Sequence, residues 1–265
     1  MAPHPLFDLR GRVALVSGGA RGMGRAMALA FAEAGADLLL VDLHGEGVQR
    51  TAQEIEALGR RAVPAVCDVG NIDQINALLE TLDQAYGRID ILGNVAGEGI
   101  MARPEAIHLE QVREVFQSMV IGRFWLTQQV GRRMLGAGKG SIISLGSLAS
   151  VTALGRGHIA YSMAMGAVAQ MTRELSTEWA GRGVRVNAIL PAQVVNPSLE
   201  ARMHASPALR DTYLRGIPAG RLGHPDDIKG LALFLASDSA AWITGALIPM
   251  DGGNLAMNSG GSHTY

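Results

Sequence analysis

Val13-Ala14-Leu15-Val16-Ser17-Gly18-Gly19-Ala20-Arg21-Gly22-Met23-Gly24 is the stretch on which the fold turns. Its apolar first half reads as a short buried strand, and Gly22–Ala34 after it is Ala-rich with helical spacing. Glycines at 18, 22 and 24 let the intervening backbone turn tightly and approach a bound group, with the helix amino end facing negative charge. Such turns also serve packing alone, but the order strand, glycine turn, helix favours a dinucleotide pyrophosphate. Asp42 ends the next apolar run, 18 residues beyond Gly24. A carboxylate there can accept from both ribose hydroxyls and repels a 2′-phosphate, which favours NAD over NADP; the alternative is a strand-terminal cap.

Outward from this unit the same alternation continues. Candidate strands are Val13–Ser17, Asp37–Asp42, Ala62–Cys67, Ile89–Asn94, Ser141–Leu145, Val184–Leu190 and Leu247–Pro249. Candidate helices are Gly22–Ala34, Gly47–Leu58, Ile72–Tyr86, Leu109–Leu135, His158–Ala180 and Pro225–Ala236. Strands alternating with helices imply βαβ units, and right-handed crossovers then give an α/β, doubly wound (Rossmann-type) parallel sheet with helices on both faces. With 265 residues and no long linker, one dinucleotide-binding and catalytic domain over 1–265 is expected. The glycine-rich tail 252–265 receives no assignment.

Hydrophobic residues at 48% and charged ones at 18% describe a folded chain rather than a disordered one. A formal net charge of −1 with scattered Lys and Arg argues against nucleic acid or an anionic membrane as partner. No apolar run approaches the roughly 20 residues that span a bilayer, and Met1–Asp8 lacks the cationic start and apolar core of a signal peptide. Cys67 is the single cysteine and the seven histidines lie far apart, which predicts no disulfide and no metal site. A cytoplasmic, metal-free protein is expected.

Several further segments carry a resemblance. Ser17-Gly18 with Gly22 and Gly24, Cys67-Asp68-Val69, Asn94-Val95-Ala96-Gly97, Pro191-Ala192-Gln193-Val194-Val195-Asn196 and Asp251-Gly252-Gly253 together resemble the short-chain dehydrogenase/reductase family over nearly the whole chain. Serine stands where the family's first motif usually begins with threonine, Val95 where it has a second asparagine, Ala192 where it has glycine, and Asn196 where it has threonine. The resemblance implies bound NAD held by Gly18, Arg21, Gly22, Met23, Gly24, Asp42, Leu43, Asp68, Val69, Asn94, Ala96, Gly97, Tyr161, Pro191 and Val194. It also implies that Ser147 holds a substrate oxygen while Tyr161, 14 residues on, exchanges a proton with it. Hydride then passes between the substrate carbon and nicotinamide.

Two letters depart from that pattern in a way that matters. Met165 follows Tyr161 by four residues, on the same helix face, where the family has a lysine that binds the ribose and lowers the tyrosine pKa. Met119, three residues before Gly122, stands where the family has an asparagine that holds a water leading to the lysine. An unperturbed tyrosine has a pKa near 10, so only about one in a thousand is ionised at neutral pH. Methionine offers neither charge nor donor, so Tyr161 is expected to be a poor base. Losing both partners together is coherent, because a water wire with neither end would be an unsatisfied polar cavity. Arg156 and His158, just before Tyr161, and Arg103, His108 and Arg123 are candidate replacement cations that the sequence does not rank.

Ala160, Ala164, Ala167 and Met171 recur at helical spacing and would serve either a subunit interface or an ordinary core. The resemblance implies a homodimer or homotetramer. The segment 195–217, with Met203, His204 and Tyr213, is expected to cover a small-molecule substrate without identifying it. Three activities fit: an NAD(H)-dependent oxidoreductase interconverting hydroxyl and carbonyl groups, a lyase or isomerase using neutral Tyr161 as acid, and a non-catalytic subunit of a mixed oligomer. The retained Asp42 and Asp68 argue against the last.

Overall fold

The computed structural model of the chain describes residues 4–206 and 208–257. The elements run β1 (Val13–Ser17), α1 (Gly22–Glu33), β2 (Asp37–Asp42), α2 (Gly45–Ala57), β3 (Ala62–Val66), α3 (Ile72–Tyr86) and β4 (Ile91–Asn94). After them come α4 (Leu109–Phe116), α5 (Arg123–Ala137), β5 (Gly140–Leu145), α6 (Ile159–Trp179) and β6 (Val184–Pro191). The last are α7 (Pro197–Ala205), α8 (Ala208–Leu214), α9 (Ile228–Ala236) and β7 (Leu247–Met250). All seven strands join one parallel sheet in the order β3-β2-β1-β4-β5-β6-β7. The chain winds outward from β1 to β3, then returns to the far side of β1 with β4. That reversal opens a crevice beyond the carboxyl ends of β1 and β4, the place where such sheets take ligands. Ser17, Asn94 and Ser144 stand level across it.

Strand alternation sorts the core. Val16, Leu38 and Leu40 turn to one face beneath α1, α2 and α9, while Leu15, Leu39 and Leu92 turn to the other beneath α3 and α5. Each such side chain, fully buried, contributes roughly 1.5–3 kcal/mol. Pro64 sits in β3, an edge strand, where its missing N–H costs least. Asn71 caps α3 by accepting from the N–H groups of Asp73 and Gln74. Among the described residues no helix is long and apolar enough to cross a membrane.

The structure corrects one expectation and adds elements to another segment. The helix read as Leu109–Leu135 is three pieces: α4, a π-helical turn at Gln117–Gly122, and α5. There the loop after β3 presses on the helix: a Cβ at Gly122 would lie 1.7 Å from the Val69 carbonyl oxygen, and the Gln117 amide donates to the Gly70 carbonyl at 2.8 Å. A wider turn inside a helix is common where function needs a side chain re-aimed. The segment 195–217, expected to cover a substrate and given no element from the sequence, contains α7 and α8. Its signal was present: Asn196 accepts from the Leu199 N–H at 2.9 Å and Pro197 opens the helix. Other boundaries move by a few residues; the 252–265 tail is described to Met257 as turns, and its remainder lies outside the described residues.

Candidate functional site

At the carboxyl end of β1 the Ser17 hydroxyl accepts from the N–H groups of Val95 and Ala96, at 3.1 and 3.2 Å, joining the β1 and β4 exits. The glycine turn then approaches closely enough that a Cβ at Gly18 would lie 3.0 Å from the Ala96 nitrogen. A Cβ at Gly24 would lie 2.0 Å from the Gly18 carbonyl oxygen, whereas one at Gly22 would meet nothing within 4 Å. No side chain caps the amino end of α1. The result is a glycine-lined cradle with uncapped, electropositive helix N–H groups facing open space, which fits a pyrophosphate.

Beside the cradle, the Asp42 carboxylate accepts from the Ala20 N–H at 3.0 Å and the His44 N–H at 3.1 Å. It therefore does cap the strand end, and that capping also fixes its oxygens next to the glycine turn. Leu43 and Arg21 are exposed at the same edge. Asp68 accepts from the Gly70 N–H at 2.7 Å, and Val69 is buried beneath it. Asn94 is buried and donates to the Thr127 hydroxyl at 2.7 Å, so it pins β4 to α5. Gly97 lies over Met119, where a Cβ would come 2.9 Å from Cγ.

A cavity of about 710 Å³ continues from this edge, and Met23, Ser147, Tyr161, Pro191 and Val194 all line it. Ser147 leaves β5 at the start of a 3-10 turn, its hydroxyl accepting from the Ala149 N–H at 3.2 Å. Tyr161 lies in the first turn of α6, and a Cβ at Gly99 would strike its ring at 2.7 Å. Burial pushes the Tyr161 pKa above its ordinary 10, while a hydrogen bond from Ser147 and the positive charge of Arg123 pull it back. The phenol is thus a neutral acid at physiological pH.

Behind Tyr161, Met119 and Met165 are 2% and 1% exposed and pack with Val115, Ala164 and Val168 in one apolar cluster that the tyrosine closes. The charge nearest this cluster comes from α5. Arg123 is 3% exposed and donates to the Leu145 carbonyl at 2.7 Å and the Ala96 carbonyl at 2.9 Å. It pairs with no carboxylate among the described residues. Burial lowers its pKa to about 10, with Tyr161 acting in the opposite sense, so it remains charged at neutral pH. Of the other candidate cations, Arg156 and His158 line the cavity, whereas Arg103 and His108 are exposed and do not. His108 instead caps α4.

The sequence missed Arg202 and Gln193 as cavity residues. Arg202 is carried by α7, so the Asn196-Pro197 helix start was the signal that could have placed it. Leu255 and Met257, in the unassigned tail, also line the cavity.

The sequence and the fold have relatives among proteins already known. A family model described as Enoyl-(Acyl carrier protein) reductase matches residues 18–254. D-threitol dehydrogenase of Mycolicibacterium smegmatis is 39% identical over 247 residues, 93% of this chain and 94% of that protein. Galactitol 2-dehydrogenase (L-tagatose-forming) of Cereibacter sphaeroides is 39% identical over 252 residues, 94% and 96% of the two chains. The crystal structure of a gluconate 5-dehydrogenase from Burkholderia cenocepacia, in complex with NADP and tartrate, superposes with a TM-score of 0.90 at 31% identity, covering 96% of this chain and 99% of that one. The chain belongs to the short-chain dehydrogenase/reductase family, an oxidoreductase family whose named relatives here are dehydrogenases of small molecules.

Proposed function

We propose that the protein is an NAD(H)-dependent oxidoreductase that interconverts a hydroxyl and a carbonyl group on a small molecule, with an atypical proton site. The observation that carries this reading is that Ser147 and Tyr161 line one cavity together with Met23 of the glycine turn. Bound at the cradle, the dinucleotide supplies or accepts the hydride. Gly18, Gly22 and Gly24 admit its pyrophosphate, and Asp42 and Asp68 lie where its ribose and adenine would be read. The NADP in a structural neighbour belongs to that protein; the Asp42 carboxylate at the end of β2 would repel a 2′-phosphate and favours NAD here.

In the reducing direction Ser147 holds the substrate oxygen and neutral Tyr161 gives it a proton, leaving a phenolate. Met165 and Met119 take the family's lysine and asparagine positions, and their packing into one dry cluster supports the loss of the water wire. Arg123 then supplies the positive charge that stabilises the phenolate. Its fixed guanidinium, held by two backbone carbonyls and facing no carboxylate, supports that role. The same raised Tyr161 pKa favours, as a second reading, a non-redox lyase or isomerase that uses the phenol only as an acid. A homodimer or homotetramer formed through α6 remains part of the proposal; Ala160 and Ala164 are already buried within one chain, leaving Ala167 and Met171 as the partly exposed part of that stripe.

The test is NADH absorbance during turnover with polyols, hydroxy acids and their ketones, for the native protein and Met165→Lys. The native protein is expected to change NADH in both directions, with Met165→Lys accelerating oxidation more than reduction near neutral pH. A silent native protein beside an active Met165→Lys would transfer the assignment to the non-redox reading.

A further inference from the structure

Arg156 and Arg202 reach the cavity from different elements, the loop before α6 and helix α7, and meet on one buried ring. The Arg156 guanidinium lies 4.9 Å from the centre of the Tyr213 ring, and Arg202 donates to the Tyr213 hydroxyl at 3.0 Å. Tyr213 is 5% exposed, so the platform that aligns the two cations is fixed. With its carboxamide oxygen turned toward Arg156, Gln193 accepts from both terminal guanidinium nitrogens at 3.2 and 3.0 Å. The remaining Arg156 nitrogen, Nε, is buried with no partner in the protein. Neither arginine pairs with a carboxylate among the described residues.

Two like charges assembled on one ring cost free energy unless an anion offsets them. The charge already acts on its surroundings. His158, whose ring stands 5.8 Å from that of Tyr161, has its pKa held below 6.5 by burial first, then by Arg156 and by Arg202. Among the described residues the one acidic side chain on the cavity wall is Glu98, which is exposed.

We infer that Arg156 and Arg202, set on Tyr213, form a carboxylate-binding subsite, and that the substrate is a hydroxy acid or the matching keto acid rather than a neutral polyol. The inference names the substrate class for the oxidoreductase reading and rests on it. A planar carboxylate suits the donors left over: Gln193 takes one N–H of each terminal nitrogen of Arg156 and leaves one on each, while Arg202 commits one N–H to Tyr213. A dianionic phosphate would leave most of its oxygens unmatched. The cavity's 710 Å³ accommodates a chain of several carbons between this anchor and Tyr161.

The test uses the full chain saturated with NAD, with D-gluconate, its neutral counterpart sorbitol, and inorganic phosphate as probes. Histidine ring NMR is read against pH, the His158 signal being assigned by its loss in His158→Asn. The charges acting on that ring are Arg156 and Arg202, Glu98 stands on the same cavity wall, and the Tyr161 ring lies 5.8 Å from it. Gluconate is expected to raise the His158 titration midpoint saturably, and sorbitol to leave it in place. Arg202→Gln and Arg156→Gln, separately, are expected to weaken gluconate at least tenfold while NAD affinity holds. Arg202→Gln lies on the surface helix and carries the test if Arg156→Gln does not fold. Equal binding of sorbitol, no gluconate effect at tens of millimolar, a stronger effect of phosphate, or indifference to both substitutions overturns the subsite. NADH turnover, followed in parallel, judges the oxidoreductase reading separately: gluconate can bind through the arginines without hydride transfer, and hydride transfer can occur with sorbitol alone.

Discussion

The glycine cradle after β1 and the corner behind Tyr161, proposed as the cofactor end and the proton end of the site, are built from different material. At the first, contacts are made by backbone: glycines that leave no room for a Cβ, an uncapped helix start, and carboxylates fixed by N–H groups. Serine in place of threonine keeps the hydroxyl that accepts from Val95 and Ala96, and at Val95 the backbone N–H makes that bond, so neither departure alters the frame. At the second the surroundings are side chains, and the corner behind Tyr161 is dry, lined by Met119 and Met165. A backbone-built site tolerates drift in sequence, while a side-chain-built site can be rewired by two substitutions on an unchanged frame.

The sharpest way to separate the two ends is Tyr161→Phe. Losing a positioned proton donor typically costs 10²- to 10⁴-fold. Turnover is expected to fall by about a thousandfold while NAD affinity, measured by fluorescence titration, changes less than about threefold. A comparable loss in both would mean that the ends are not independent.

Arg123→Met addresses the proton end alone. Arg123 favours the charged phenolate, so removing it should raise the Tyr161 pKa further above 10. Alcohol oxidation, which needs the phenolate as base, is expected to fall at least tenfold at neutral pH, with its pH profile displaced upward. Ketone reduction, which starts from the neutral phenol, should lose less. Arg123→Lys should restore most of the profile, because it keeps the charge among the same carbonyls. An unchanged profile in folded Arg123→Met would remove Arg123 from the mechanism, and 13C-tyrosine NMR, with Tyr161→Phe for assignment, reads the same shift without turnover.

Legibility in the sequence followed the same division. Periodicity and glycine spacing exposed the sheet, its helices and the cradle, because those features are local in the chain. Arg123 was visible as a letter, yet its place follows a π-helical turn at Gln117–Gly122, where Gly122 meets the loop at Val69. Arg156 and Arg202 are 46 positions apart and meet only because α7 folds back over Tyr213. Burial is likewise invisible in a letter: Tyr161 reads as an ordinary phenol until the cluster behind it is placed.

The smallest expected effect is on stability, and it tests whether the arginine platform charges the proton end even without substrate. His158 has a folded-state pKa below its ordinary 6.5, from burial and then from Arg156 and Arg202. A depressed histidine favours the folded state while neutral, so its stabilisation is complete above the unfolded pKa and is lost as pH falls through about 6.5 toward the lower folded value. The Tm of the native protein should therefore decline between pH 7 and 5 more steeply than that of His158→Gln. The difference is expected to be no more than about 3 °C, equivalent to roughly 1 kcal/mol for a chain of this size. Arg202→Gln should shrink it, because one of the two repelling charges is gone, whereas Arg103→Gln, exposed and outside the cavity, should not. Parallel curves for the native protein and His158→Gln would mean that burial and the arginines do not act on His158 strongly enough to matter. The two ends of the cavity would then differ in packing but not in field.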